Sequence, residues 1–218
     1  MSSPEVELRS AWAHLTRNVP AGTSTDHLFE ALLIRLGEPL RRYHTAVHVM
    51  WVLRHVRALG HLLGDPGRLD EVELAALYHD AVYDPRRSDN EALSAELAAA
   101  TAAELGWPDD RCRSVHRLVM STATHRPQSL DEAVLVDADL AVLGGEPRSY
   151  TAYVNGIRAE YTHVTDSAWR SGRATVLRGF LHGDRVFHTD EMHSTLGARA
   201  RANMTAELAT LERVSRPQ

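Results

Sequence analysis

The stretch Leu77-Tyr78-His79-Asp80-Ala81-Val82-Tyr83-Asp84 joins an apolar run to a histidine that is followed directly by an aspartate. The apolar residues, Leu74 to Leu77, have the composition of a buried helical segment. His79 and Asp80 then offer a nitrogen and an oxygen ligand side by side, although neighbours on a helix point about 100° apart. One ion beside the helix can take both side chains if further ligands come from elsewhere. The stretch therefore predicts a helix whose end carries part of a metal site.

Apolar residues recur with helical spacing on both sides of this stretch, and Pro, Gly, Asn or Asp separate the segments. Alternating strand patterns are scarce, so the sequence predicts an all-α, single-domain helical bundle. The predicted helices cover 5–17, 25–36, 44–59, 70–80, 88–105, 109–124, 129–143, 148–162, 166–181 and 194–213. Capping-box patterns, Asp70 with Glu73 and Ser88 with Glu91, mark two of the starts.

We expect three regions along the chain. Residues 1–24 form an N-terminal helix and a connection, and residues 25–145 form the metal-binding core. Residues 146–218 supply additional C-terminal helices that pack on the same domain. No repeat or convincing linker divides the sequence further.

Composition excludes several classes of protein. The 218 residues are 44% apolar and 24% charged, which are ordinary values for a chain long enough to bury a core. The formal charge is −5 and every basic residue is Arg, so the basic excess of a protein that binds long nucleic acid is missing. No run approaches the roughly 18 apolar residues of a membrane span, and the N-terminus lacks the apolar core of a signal peptide. Because Cys112 is the single cysteine, no internal disulfide is expected. We expect a soluble, cytoplasmic protein without a membrane partner.

Further candidate ligands lie on both sides of the opening stretch. Upstream, His44 and His48 are four residues apart and are predicted on adjacent turns of one helical face. Downstream, Asp139 lies in an apolar stretch, where an unpartnered carboxylate is costly to bury and a cation would supply the partner. Asp137 is two residues away and would point to a different face, so the spacing alone leaves the choice between Asp137 and Asp139 open.

The order of these residues resembles the HD superfamily of metal-dependent phosphohydrolases. The elements that carry the resemblance are Tyr43-His44-x-x-x-His48, His79-Asp80 and Asp137-Ala138-Asp139-Leu140. The longer string from His79 through Pro85 and Ser88-Asp89-Asn90-Glu91 to Ala95 looks like one bacterial branch of that superfamily. That branch is also expected to carry Ile157-Arg158-Ala159-Glu160-Tyr161 and Ala200-Arg201-Ala202-Asn203. The resemblance covers about residues 25–210.

The resemblance implies an HD-type bundle with a defined ligand set. The four implied metal ligands are His48, His79, Asp80 and Asp139. Asp139 is preferred to Asp137 because Ala-Asp-Leu matches an element of the family. His44 falls where the related cyclic-nucleotide phosphodiesterases carry a histidine that protonates the leaving oxygen, so His44 and Asp80 are the expected catalytic residues. This chain has Thr45 where their pattern has Asn, and a ligand role or a structural hydrogen bond is the alternative for His44.

The chemistry of such a donor set agrees with hydrolysis. A divalent ion held by two imidazoles and two carboxylates lowers the pKa of water and stabilises charge on a phosphoryl group. Imidazole ligands favour Mn, Fe, Co, Ni or Zn over Mg in a tight site, and one ion is expected unless further ligands join. Guanidinium groups bind phosphate bidentately. The candidates for that contact are Arg41, Arg86, Arg87 and Arg158, each of which can equally be a surface charge.

A second ion would need further ligands, for which His125, His116 and Asp84 are the candidates. Histidines in this region of some HD relatives serve a second metal, and His125 is the better placed of the two. A capping or core role is the competing interpretation for both. Asp84 follows Asp80 by about one turn and can either orient a ligand or water or cap the turn before Pro85.

Three functions are compatible with these residues. The first is a phosphohydrolase that uses metal-activated water to cleave a phosphate ester or anhydride of a small nucleotide or other phosphorylated metabolite. The second is an HD-fold di-iron oxygenase, which depends on His116 and His125. The third is a non-catalytic metal-containing module that binds a nucleotide or a protein. Pairing through an exposed apolar face would give a homodimer in each case.

Overall fold

The computed structural model describes residues 3–20 and 24–214. Within these ranges the chain forms helices and no β-strand, so the all-α prediction is confirmed. The α-helices are α1 (Pro4–Leu15), α2 (Asp26–Leu36), α3 (Ala46–Leu59), α4 (Pro66–Tyr78), α5 (Asn90–Glu104), α6 (Asp109–Ser121), α7 (Leu130–Leu140), α8 (Pro147–Glu160), α9 (Asp166–His182) and α10 (Asp190–Val214). Short 3₁₀ turns, Gly60–Leu63 and Ala141–Gly144, follow α3 and α7. Each predicted helix is present, and the differences lie at the helix ends.

Side-chain caps explain where several helices begin. Asp65 accepts a hydrogen bond from the backbone N–H of Gly67 at 2.8 Å, and Pro66 occupies the first position of α4. Thr165 accepts a hydrogen bond from the backbone N–H of Ala168 at the start of α9, as its position in the sequence predicted. Both caps satisfy backbone N–H groups that have no partner within the helix.

Both capping boxes predicted from the sequence, Asp70 with Glu73 and Ser88 with Glu91, are wrong. α4 begins before Asp70, and the buried carboxylate of Asp70 instead accepts a hydrogen bond from Arg17 at 2.7 Å. Glu73 is also buried, and it pairs with a guanidinium group of α3 rather than with the start of α4. In α5 the cap position is occupied by Asp89, so Ser88 lies outside the helix. Ion pairing between helices, which depends on the fold, decides the partners of these carboxylates.

The structure divides into two compact units between Asp139 and Leu140. In the first unit, α4 is the central helix and packs against α1, α3, α5 and α6. Every residue from 72 to 79 is buried, so the C-terminal half of α4 has no solvent-facing side. Full burial of one leucine stabilises the fold by about 1.5–3 kcal/mol. The apolar run before His79 is therefore core, and its packing fixes where His79 lies.

The second unit contains the Ala141–Gly144 turn and helices α8, α9 and α10. α10 packs against α9 and against this turn, and Asn203 donates to the two carbonyls that flank Gly144, each at 2.9 Å. A Cβ atom on Gly144 would lie 2.6 Å from the Cβ atom of Leu196. Only glycine allows α10 to approach the turn this closely.

No helix in the described part of the chain combines the length and the apolar character that a membrane crossing requires. The predicted three-region organisation, with residues 146–218 packed on the metal-binding core, stays a prediction. The predicted homodimer stays one as well.

Candidate metal centre

The four predicted ligands lie at the ends of three helices of the first unit. His48 is in the first turn of α3, and Asp139 is in the last turn of α7. His79 is the C-cap residue that directly follows α4, and Asp80 lies in the turn after it. Side chains at helix ends can converge from separate segments without one helix blocking another.

The side chains of these residues, here called the ligand cluster, do converge. The Nε2 atoms of His48 and His79 lie 3.1 Å apart. Oδ2 of Asp80 lies 3.3 Å from Nε2 of His48 and 3.0 Å from Nε2 of His79. Oδ1 of Asp139 lies 3.2 Å and 3.5 Å from the same two nitrogens. Ligands that share one ion at about 2.0–2.2 Å lie about 3–3.6 Å from one another, and the distances among His48, His79 and Asp80 are of this size, as are those from Asp139 to the two imidazoles.

A backbone carbonyl fixes the tautomer of His79. Nδ1 of His79 lies 2.9 Å from the carbonyl oxygen of Ala76, which only accepts, so Nδ1 donates and carries the proton. In the neutral ring Nε2 then has a lone pair, which faces His48 and the two carboxylates. Metal-binding histidines are held in this way by a carbonyl behind the ring. His48 and His79 are only 5% and 2% exposed, so both imidazoles lie in the protein interior.

Burial and opposite charge act against each other within the ligand cluster. Burial disfavours the imidazolium form of His79, but Asp80 and Asp139 outweigh it and hold the pKa of His79 well above its usual value. Burial also opposes the carboxylate form of Asp80, yet His79 and His44 hold the pKa of that carboxyl well below its usual range. The cluster is therefore stable only when its carboxylates face positive charge, which protons on the imidazoles or a cation can supply.

His44 lies outside α3, which corrects its predicted place on the same helical face as His48. The side chain of Thr45 accepts a hydrogen bond from the backbone N–H of Val47 at 3.3 Å, and α3 begins at Ala46. Thr45 has extended backbone angles, φ −116° and ψ 177°, so the turn spacing does not apply to His44. The rings of His44 and His48 still lie 5.7 Å apart between centroids, because the turn before α3 brings them together.

Aromatic rings hold His44 beside the ligand cluster. The ring of Tyr83 packs on His44 with centroids 4.1 Å apart, and Tyr43 meets it edge-on at 5.1 Å. His44 is close enough to Asp80 to lower the pKa of that carboxyl. Sequence analysis missed Tyr83 as a site residue, although its position four residues after His79 placed it in the motif string.

The structure brings Asp139, rather than Asp137, to the two imidazoles of the cluster. Asp137 is 0% exposed and lies on another face of α7. Nε2 of His125 lies 3.5 Å from Oδ2 of Asp139, which is the carboxylate oxygen that does not face the imidazoles. His125 has φ +51° and lies beyond the end of α6. His116 lies within α6 and forms no ion pair or hydrogen bond with the cluster in the described ranges.

Asp84 shapes the loop after the cluster. Its Oδ1 atom accepts a hydrogen bond from the backbone N–H of Arg86 at 2.9 Å, which is the turn-capping alternative considered from the sequence. Asn90 holds the same residue from the other side, since its side chain bonds both the N–H and the carbonyl of Asp84. The carboxylate of Asp84 therefore supports the loop, and no contact with the cluster supports its candidacy as a ligand.

Arg41 does not suit the phosphate-binding role predicted for it. It is 4% exposed, and its N–H groups donate to the carbonyls of His44 at 2.9 Å, Asp80 at 2.7 Å and Ala81 at 3.1 Å. These bonds occupy the guanidinium and withdraw it from a substrate. Its role is therefore corrected to one within the fold.

The other predicted phosphate ligands differ in their partners. Arg87 pairs with Asp89 at 2.7 Å. Arg158 belongs to the second unit, where it pairs with Asp166. Arg86 is exposed, and its guanidinium forms no ion pair within the described ranges. Of the four, Arg86 has the guanidinium best able to meet a substrate.

The ligand cluster can neutralise a divalent cation and leave it positions for other ligands. Two carboxylates balance the charge of the ion, and four protein ligands leave room in a five- or six-coordinate shell. In the described part of the chain, His48, His79 and Asp80 form the one group of such residues whose ligand atoms all lie within 4.8 Å of one another. Comparison of the chain with protein-family models, with curated proteins and with solved structures finds no match.

Proposed function

We propose that this protein is a metal-dependent phosphohydrolase that acts on a phosphate ester or anhydride of a small nucleotide or other phosphorylated metabolite. The observation that carries the proposal is the convergence of His48, His79, Asp80 and Asp139 from three helix ends. The same residues carry the ordered resemblance to the HD superfamily. Sequence order and spatial order thus support one metal site.

The residues of the chain have separate tasks in this proposal. His48 and His79 present lone pairs, and Asp80 and Asp139 supply the negative charge that retains a divalent transition metal such as Mn, Fe, Co, Ni or Zn. When bound, such an ion lowers the pKa of water and stabilises negative charge on a phosphoryl group. His44, held against Tyr83, would carry the proton for the leaving oxygen.

Thr45 is compatible with this role for His44. Thr45 caps α3, and Asn, which stands at this position in the phosphodiesterase pattern, is also a favoured capping residue. The departure from the pattern therefore keeps the local chemistry of the helix start. For the substrate phosphate we propose Arg86, whose backbone is fixed by the turn at Asp84.

A second candidate function is a di-iron oxygenase, and one contact favours it. Oδ1 of Asp139 faces the two imidazoles of the cluster while Oδ2 faces His125 at 3.5 Å. In such a site, Asp139 and His125 would help to hold a second iron beside the one held by His48 and His79. About two irons per chain in protein purified under reducing conditions, without phosphate release, would favour this function over hydrolysis.

The direct test is a phosphate-release screen on nucleotides and small phosphoesters, with Mn²⁺, Co²⁺, Ni²⁺ and Mg²⁺ added separately. We expect hydrolysis of at least one substrate with a transition metal, and loss of that activity in Asp139→Asn, which keeps the shape of the side chain but removes its charge. Asp137→Asn is the matched control and should leave activity in place, because the structure brings Asp139 rather than Asp137 to the two imidazoles. Metal binding without product formation across the whole screen would instead identify a non-catalytic module.

A further inference from the structure

We infer that Arg41 is the positioning residue of the metal centre, which joins the segment carrying the proton donor to the segment carrying two ligands. The inference rests on the proposed function, since it concerns the same site. The hydrogen bonds of Arg41 go to backbone carbonyls and to Glu38, not to the ligand atoms of the cluster. It acts through the backbone of the residues that do.

The hydrogen bonds of Arg41 join two parts of the chain. Nη1 donates to the carbonyl of His44 at 2.9 Å and to the carbonyl of Asp80 at 2.7 Å. Nη2 donates to the carbonyl of Ala81 at 3.1 Å. A single nitrogen thus ties the turn before α3 to the turn after α4. The distance between these two turns sets how His44 and His48 face His79 and Asp80.

A second contact acts on the ring of His44. The guanidinium of Arg41 lies over the ring of Tyr83 at 5.5 Å from its centroid, and the ring of His44 packs on the same tyrosine with centroids 4.1 Å apart. Arg41 therefore fixes His44 both through its carbonyl and through the aromatic ring packed on its imidazole. The two routes are independent, because one runs through the backbone and the other through side chains.

The geometry requires arginine rather than a cation in general. The planar guanidinium presents N–H groups in fixed directions, and Arg41 uses them for three carbonyls and for the carboxylate of Glu38 at 3.2 Å. A lysine ammonium is a compact charge on a flexible stem and cannot hold two turns of the chain at a set spacing. Arg41→Lys is therefore expected to keep the charge and lose the positioning.

Comparison with another buried arginine distinguishes a role in positioning the metal ligands from a contribution to fold stability only. Arg173 is 8% exposed, close to the 4% of Arg41, but it pairs with the carboxylate of Glu207 in the second unit. Arg41 instead directs most of its donors to backbone carbonyls beside the ligand cluster. Replacement of either arginine should destabilise its own surroundings, whereas only Arg41 should alter metal binding.

The test is a Co²⁺ titration of the full-length protein, followed by the visible absorption of the bound ion, for the wild type, Arg41→Lys and the control Arg173→Lys. Groups that support metal ligands without touching the ion affect affinity by about 10- to 100-fold. We expect a loss of Co²⁺ affinity in that range for Arg41→Lys, with a changed absorption spectrum, and wild-type affinity for Arg173→Lys. Arg41→Gln, which keeps two N–H donors, is measured in parallel so that the result stands on whichever variant folds.

The outcomes distinguish this inference from the proposed function. Wild-type affinity and spectrum in a folded Arg41 variant would overturn the positioning role and leave the metal centre intact. An equal loss of affinity in Arg173→Lys would also overturn it, because general destabilisation would then explain the effect. Absence of Co²⁺ binding in the wild type would reject the metal centre itself, and the positioning role with it.

Discussion

Two buried clusters of charged side chains occupy the two units, and they satisfy their charges differently. In the second unit, Arg173 binds Glu207 through Nε at 2.8 Å and through Nη2 at 3.1 Å, and it donates to Tyr153 at 3.0 Å. Tyr150 donates its hydroxyl to the same carboxylate. In the ligand cluster of the first unit, two imidazoles face two carboxylates, and no arginine among the described residues pairs with those carboxylates.

The difference indicates a different purpose for each cluster. The arginine and the carboxylate of the second unit neutralise each other. Together with the two tyrosines they link α8, α9 and α10. The ligand cluster directs lone pairs and carboxylates toward a common point, which suits a cation that comes from outside the chain. The arginine of the second unit is always charged, whereas the imidazoles of the ligand cluster can give up their protons to make room for a cation.

The largest expected effect on stability comes from disrupting the buried pair of Arg173 and Glu207 in the second unit. Arg173→Met removes one partner of a buried pair and should lower the free energy of unfolding by about 3–5 kcal/mol, because Glu207 is left buried without its cation. Urea unfolding followed by circular dichroism measures this loss. Arg178→Met, which breaks the exposed pair with Glu212, is the control and should change the free energy by less than about 1 kcal/mol. A fall in metal affinity of the Arg173 variant would contradict the separation of the two clusters.

The next largest effect is the stabilisation of the fold by a metal bound at the ligand cluster. A metal that binds only the folded state stabilises it by about 2.7 kcal/mol at one hundred times its dissociation constant. Addition of Co²⁺ to chelator-treated protein should therefore raise the unfolding free energy by about that amount. Asp139→Asn should show little of the gain, and Asp137→Asn should show all of it. The same stabilisation in both variants would place the ion elsewhere.

At the start of α7, the buried carboxylate of Asp131 pairs with Arg117, and this pair predicts a pH dependence of the stability. Burial raises the pKa of Asp131, but Arg117 and Ser129 outweigh it and hold the value to about 2. A carboxyl whose pKa is lower in the folded state adds stability at neutral pH, and that stability is lost as pH falls from about 4 toward 2. Asp131→Asn should therefore cost about 2 kcal/mol at pH 7 and much less near pH 2. Unfolding measurements at both pH values check this, and an equal cost at both would contradict it.

The smallest effect concerns the start of the helix that carries His48. Thr45→Ala removes the cap of α3 and should lower the unfolding free energy by about 1 kcal/mol. Thr45→Asn keeps a capping side chain and should stay close to the wild type. Thermal unfolding of the two variants distinguishes them. If Asn costs as much as Ala, the difference between Thr45 and the Asn of the phosphodiesterase pattern has a consequence beyond capping.

The all-α fold was predictable because helical periodicity and helix breakers are local properties of the chain. The apolar run before His79 predicted a buried helix end, and α4 has that end. Helix starts were less predictable, since the sequence analysis placed the start of α4 at Asp70, whereas Asp65 is its cap in the structure. Only the position of Arg17 in the fold decides that Asp70 is an ion-pair partner instead.

In the candidate site, too, the identity of the residues was predictable and their contacts were not. Residue type and order were enough to select His48, His79 and Asp80. The resemblance of Ala138-Asp139-Leu140 to an HD-superfamily element favoured Asp139. The contacts behind them could not be predicted, because the carbonyl of Ala76 behind His79 is a backbone group without a sequence signal. Arg41 was predicted as a phosphate ligand from its charge alone, and only the fold shows that backbone carbonyls surround it.

The most direct test of the central claim is metal analysis of the purified protein beside its His79→Ala variant, with His182→Ala as the control for loss of an exposed histidine. We predict about one divalent transition ion per chain in the wild type and in the control, and almost none in His79→Ala. Equal metal content in all three proteins, or none in the wild type after reconstitution, would contradict the assignment of His48, His79, Asp80 and Asp139 as a metal centre.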